Sequence, residues 1–222
     1  LDSACENGGD SMLFEFDGIY YPTRTVDGNA QSPKVVEPSP VSWTDFRDHG
    51  DDIEAYRWNF LPKNHRDRED FDGLIATCKA FSATGSALSP AVAQRIDLDE
   101  WLRLFAAISL AGVRDVYSGI NPHNLMLYAR PEDGRFVALP HDLDESFLNP
   151  VTAPIYGTTH NFSKVIAPRE NLSRYCWHLR NIITKVYNRE YMSYWVAHYQ
   201  RFLPGQDFGP LLTYIQQRGS YV

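Results

Sequence analysis

The sequence predicts an α+β fold, and three observations carry the prediction. Short aromatic patches set among Gly, Pro, Asp and Ser fill residues 1–65, apolar residues recur at three- and four-residue spacing from about residue 69, and a strand–turn–strand pattern over 124–142 stands between helical regions. Alternating patches mark strands, and the 3.6-residue period marks helices. The chain accordingly divides into a β- and loop-containing segment, 1–65, and a helical region, 66–222, that holds the hairpin.

Each element has its own warrant. LFEFDGIYY and EAYRWNF read as short strands, and VDGNAQSPKVVEPSPVS between them, with its three prolines, reads as an irregular surface excursion. In EDFDGLIATCKAF, residues Phe71, Leu74, Ile75, Cys78 and Phe81 share one helical face. Asp97 can cap the next helix, with Glu100 three residues on as in a capping box. Leu98, Trp101, Leu102, Phe105 and Ile108 form the apolar face of that helix, and Gly112 is its natural stop. VRDVYSGINPHN holds Gly119 and Pro122 and cannot continue as helix. LMLYAR, PEDG and RFVALP then read as strand, turn and strand. A loop is expected to about residue 170. NLSRYCWHLRNIITKVY and EYMSYWVAHYQRF follow as helices, their tryptophans and tyrosines reading as core and helix packing.

Composition excludes several function classes. The 222 residues carry 28 acidic against 21 basic side chains, a net charge of −7, which repels nucleic acid and anionic lipid. The three cysteines, Cys5, Cys78 and Cys176, form no CxxC pair, so neither a zinc site nor a dense disulfide framework is indicated. The longest apolar run, LFAAISLAGV at 104–113, is half the ~20 residues a membrane helix needs. No signal peptide opens the sequence, which starts at LDSACEN without an initiator methionine and reads as a fragment or a processed chain.

The chemistry gathers at RFVALPHDLDESF. Asp142 and Asp144 end an apolar run, where a carboxylate needs a cation or water beside it. With the turn centred on Asp133 and Gly134, Asn124 and Asp142 come close to opposite each other, on strands roughly 5 Å apart. Asp115, nine residues before Asn124, lies on a loop that can fold back to the same end of the hairpin. Carboxylate and amide oxygens are the hard ligands magnesium favours. An aspartate for the acceptor hydroxyl, an asparagine and a second aspartate for the metal, in that chain order, suit phosphoryl transfer. The residues alone leave other readings open. Asp115 could pair with Arg114, Asn124 could close an Asx-turn, Asp-x-Asp could be a solvated loop end, and His123 and His141 could suggest a transition-metal site.

Residues 96–147, IDLDEWLRLFAAISLAGVRDVYSGINPHNLMLYARPEDGRFVALPHDLDESF, also resemble the core of the CotH kinase family, named for spore coat protein H. The likeness rests on the helix, the loop aspartate, HN before an aromatic-rich strand, DG in a turn, and PHDLD where the family shows PWDxD. LFEFDG and DFDGLI resemble the family's approach to this core. The resemblance implies an atypical kinase-like fold, with a helical C-terminal lobe around the catalytic hairpin and a partial N-terminal segment. It makes Asp115 the catalytic aspartate, Asn124 and Asp142 metal ligands and Asp144 an assistant, with ATP and Mg2+, or Mn2+, as cofactors. His141 stands where the family has tryptophan, and the lysine that grips the nucleotide phosphates is not found: Lys34 and Lys63 are the early lysines, and neither sits in a convincing strand. The implied acceptor is a hydroxyl on a secreted or coat protein, and the implied location is extracytoplasmic. Sequons at Asn161 and Asn171, read as flanking an exposed loop, point the same way. A pseudokinase or structural coat-type protein with a cation site, and a metal-dependent phosphoesterase, are the competing functions.

Overall fold

The computed structural model describes residues 10–38, 45–119, 123–156 and 160–222. β1 (Leu13–Phe16) runs between β4 (Phe60–Pro62) and β5 (Leu125–Ala129), with β6 (Phe136–Pro140) outermost, in a four-stranded antiparallel sheet of order β4-β1-β5-β6. β1 alternates as its sequence requires: Phe14 and Phe16 are buried and Glu15 faces away. Phe16 lies opposite both Phe60 and Leu125, and Leu125 lies opposite Pro140. One margin of the sheet therefore collects the chain just after β1, just before β5 and just after β6.

β2 (Tyr20–Thr25) pairs with β3 (Lys34–Val36) in a separate two-stranded ribbon. The proline-rich stretch is thus only partly an excursion. Its KVV triplet is β-favouring and finds a partner in β2, with Lys34 buried, while residues 39–44 lie outside the described residues. Of EAYRWNF only Phe60 enters a strand, β4; Glu54 and Ala55 belong to a short 3-10 turn (Ile53–Ala55) that the Asp52 side chain caps.

α1 (Asp72–Phe81) buries Leu74, Ile75, Cys78 and Phe81, and Phe71 packs beside it, as the spacing predicts. α2 (Leu88–Ala93) was not foreseen; its Ser-Pro start reads as a turn. α3 (Leu98–Ala111) is the central helix, burying Trp101, Leu102, Phe105 and Ile108 beneath the sheet, and the Trp101 indole N–H donates to the Phe136 carbonyl at 3.0 Å. Only half the expected capping box forms. Asp97 accepts from the Glu100 amide at 3.2 Å, but the Asp97 amide is already bonded to the Phe136 carbonyl, and the Glu100 carboxylate instead accepts the Ala138 amide at 3.1 Å. Gly112 ends α3 in the left-handed region, φ 58°.

The expected loop to residue 170 contains α4 (His160–Ile166). α5 (Arg169–Lys185) packs on α3, and α6 (Arg189–Tyr199) on α7 (Gly209–Tyr221). α7 opens at Gly-Pro, a turn signal in sequence that here places proline in the first turn, where its missing N–H is harmless. The aromatic residues of the C-terminal helices meet expectation only in part: Tyr175 of α5 is fully buried in the core, but others are not. α6 has no buried residue, and Trp177, Tyr194 and Phe202 are 60–70% exposed. The two sequons also depart: Asn161 lies in α4 and Asn171 in α5, each 3% exposed. Cys78, buried, and Cys176, exposed, are both free thiols, and Cys5 lies outside the described residues. Among the described residues no helix is long and apolar enough to cross a membrane.

Candidate active site

The sheet margin brings most of the predicted site together. Asn124 immediately precedes β5, and Asp142 follows β6 by two residues; both have left-handed backbone, φ 55° and 50°, which the short side chains of Asn and Asp tolerate and which ends the ladder there. Register corrects one detail. Arg130 and Arg135 close a loop whose centre lies one residue earlier than Asp133–Gly134, so continuing the ladder puts His141 opposite Asn124, with Asp142 a step beyond.

Asp115 reaches this margin from the loop after α3. His123 Nε2 is 2.9 Å from its Oδ1, and the Asn124 side-chain amide donates to the Asp115 backbone carbonyl at 3.1 Å and more weakly to Oδ2 at 3.4 Å. Two of the alternative readings end here. Arg114 does not pair with Asp115 but makes a two-pronged ion pair with Glu145, at 2.8 and 2.6 Å. Asn124 bonds to Asp115 rather than closing a turn of its own. The Arg114 amide also donates to the Glu145 carbonyl, Phe147 to Ala111 and Asn149 to Gly112. The loop carrying Asp115 and the loop carrying Asp144 are thus laced together along the end of α3.

Asp142 and Asp144 are exposed, and neither carboxylate has a hydrogen-bond or ion-pair partner among the described residues. Their oxygens are open to a hard cation. Among the described residues no three His, Cys, Asp or Glu side chains gather closely enough to hold a metal ion by themselves. That donor set suits magnesium, which keeps several waters and takes one or two carboxylates together with phosphate oxygens. It does not suit a His-built transition-metal centre.

Two neighbouring residues, Asp17 and Glu15, and one cavity escaped sequence reasoning. Asp17 follows β1 at the same margin; burial, and then repulsion from Glu15, hold its carboxyl above the usual carboxylate range, against the pull of His123 and Lys63. The Asp-Gly pair at 17–18 reads only as a turn in sequence. The Glu15 carboxylate is ion-paired with Lys63, which follows β4, and lies 3.7 Å from His141 Nδ1, beyond hydrogen-bond reach. Beside the Asp115 loop opens a cavity of about 350 Å³, lined in part by Arg114, Ser118, Gly119, Thr152, Tyr175 and Arg218. Arg218 is 1% exposed, its guanidinium bonded to the carbonyls of Ser109, Val151 and Ala153.

Compared one by one with curated proteins, the chain matches none. The model of the CotH kinase protein family, in contrast, matches residues 12–218, which spans the sheet, the Asp115 loop, the hairpin, helices α1 to α6 and most of α7. A match over nearly the whole length, with the loop aspartate, the HN pair and the DLD segment meeting at one sheet margin, makes the chain a member of the CotH kinase family.

Proposed function

We propose that the protein transfers the γ-phosphoryl group of ATP, in the presence of Mg2+, to a hydroxyl on an acceptor protein. The observation that carries this reading is the convergence of Asp115, Asn124 and Asp142 on one margin, with Asp142 and Asp144 unpartnered and open to solvent. Family membership implies a kinase and, with it, ATP. Bound Mg2+ would neutralise the phosphate charge that develops during transfer. Asp142 and the Asn124 amide oxygen would ligate it, with Asp144 assisting through water. Asp115 would orient the acceptor hydroxyl and accept its proton, while the His123 contact fixes which way its carboxylate faces. The acceptor would be a secreted or surface protein and the site of action extracytoplasmic, a reading supported by the family alone.

Calorimetric titration with Mg-ATP tests the site directly. Asp142→Asn removes a formal ligand charge and should weaken Mg-ATP binding at least about tenfold while leaving the melting temperature nearly unchanged. Unchanged affinity would remove Asp142 from the site. ATP-independent release of phosphate from phosphoesters would favour a phosphoesterase.

A further inference from the structure

We propose that Asp45 is a positioning residue for the loop that carries Asp115, acting through the hydroxyl of Tyr117. Asp45 is 4% exposed, and no Lys, Arg or His pairs with it among the described residues. A carboxylate so placed is strongly disfavoured unless hydrogen bonds hold it. Here Oδ1 accepts the Tyr117 hydroxyl at 3.0 Å and the Phe46 amide at 2.7 Å, and Oδ2 accepts the Asn161 amide at 3.2 Å. The Asn161 side-chain amide in turn donates to the Phe46 carbonyl, so residues 45–46 are bonded to the start of α4 at two points.

Tyr117 is fully buried and lies two residues from Asp115. Its ring stands edge-on to Phe46 at 5.4 Å and 88°, and touches Phe16, Trp101 and Phe162. Packing fixes where the ring sits, and the bond to Asp45 fixes its reach. The loop from Val113 to Gly119 has no strand or regular helix to define its path. It is held on the solvent side by Arg114 to Glu145 and on the core side by Tyr117 to Asp45. An apolar pair of the same shape would be easier to bury. What the carboxylate adds is one defined geometry for the backbone that aims Asp115, and phosphoryl transfer is sensitive to misplacement of about an ångström.

Two isosteric variants test this, Tyr117→Phe and Asp45→Asn, compared with wild type well below their melting temperatures. Hydrogen exchange of the amides from 113 to 119 should quicken about tenfold in each, with β5 and β6 unchanged. The kinetic arm rests on the proposed phosphoryl transfer: kcat should fall about tenfold or more while KM for Mg-ATP stays at the wild-type value. The double variant should be no slower than the worse single one. Should Asp45→Asn fail to fold, Tyr117→Phe keeps the ring and supplies both readouts. A lower melting temperature with unchanged loop exchange and unchanged kcat would make Asp45 merely structural and overturn the proposal, as would unchanged kcat in an active enzyme even with faster exchange. Should wild type transfer no phosphate, it is the kinase reading that fails, and loop exchange alone then decides for or against the anchor.

Discussion

At the scale of single residues, the decisive contrast is between a carboxylate held by neighbours and one left open. Asp115 is held, by His123 and Asn124, whereas Asp142 and Asp144 are open. Asp115→Ala should therefore leave Mg-ATP affinity near wild type in calorimetry while lowering phosphoryl transfer about 10²-fold or more, since a group that acts on the acceptor proton matters mainly in the transition state. Transfer of labelled phosphate at the wild-type rate would rule out that role. Glu100 makes a separate, pH-dependent prediction. Burial pushes its carboxyl up to about 7 from 4.5, the Ala138 amide opposing and Asp97 adding to the rise. The folded state then binds the proton more tightly than the unfolded chain, so Glu100 lowers stability as pH rises from about 4.5 to about 7 and adds no further change above that. Melting curves across this window should show the slope in wild type and a flatter one in Glu100→Gln; equal slopes would mean Glu100 does not titrate there.

At the scale of elements, what could be read in advance follows from how local the determinant is. α1, α3 and the β5–β6 hairpin carry their own periodicity, caps and turn, and appear within a few residues of expectation. So do Asp115 and Asn124 as neighbours, because nine residues of loop leave few paths. β3, α4 and α7 were not legible, since a three-residue strand, a seven-residue helix and a helix opening at Gly-Pro are decided by partners distant in sequence. Asp17, Glu15 and Asp45 were missed for the same reason: their roles arise only when β1 enters the sheet and residue 45 meets α4. Gly112 shows an element boundary defined from both sides. Its φ of 58° suits glycine, and an added methyl would collide with the hydroxyl end of Tyr214 on α7. Gly112→Ala should lower stability by about 1–3 kcal/mol in urea unfolding, and a change within error would show that α7 yields easily there.

At the scale of the whole molecule, burial overrules the sequon pattern. The Asn171 amide donates to the Ser89 hydroxyl at 2.9 Å and the Val165 carbonyl at 2.7 Å, and Asn161 is bonded to Phe46. A glycan at either would block α4 or α5 from packing, so the folded product from a glycosylating host should show neither modification by mass spectrometry. Asn171→Ala should lower stability by about 1–3 kcal/mol, because it strands buried acceptors; a neutral effect would mean those bonds are replaced by water. The sheet order has a consequence of another kind. β1 finds one of its two neighbours far along the sequence, Phe14 meeting Leu127 on β5. Closing so long a loop is entropically expensive and slow. Asp17 joins Asn124 and Asp142 at one margin only once β1 has paired with β5, so the proposed site is complete only after two distant parts of the chain have met.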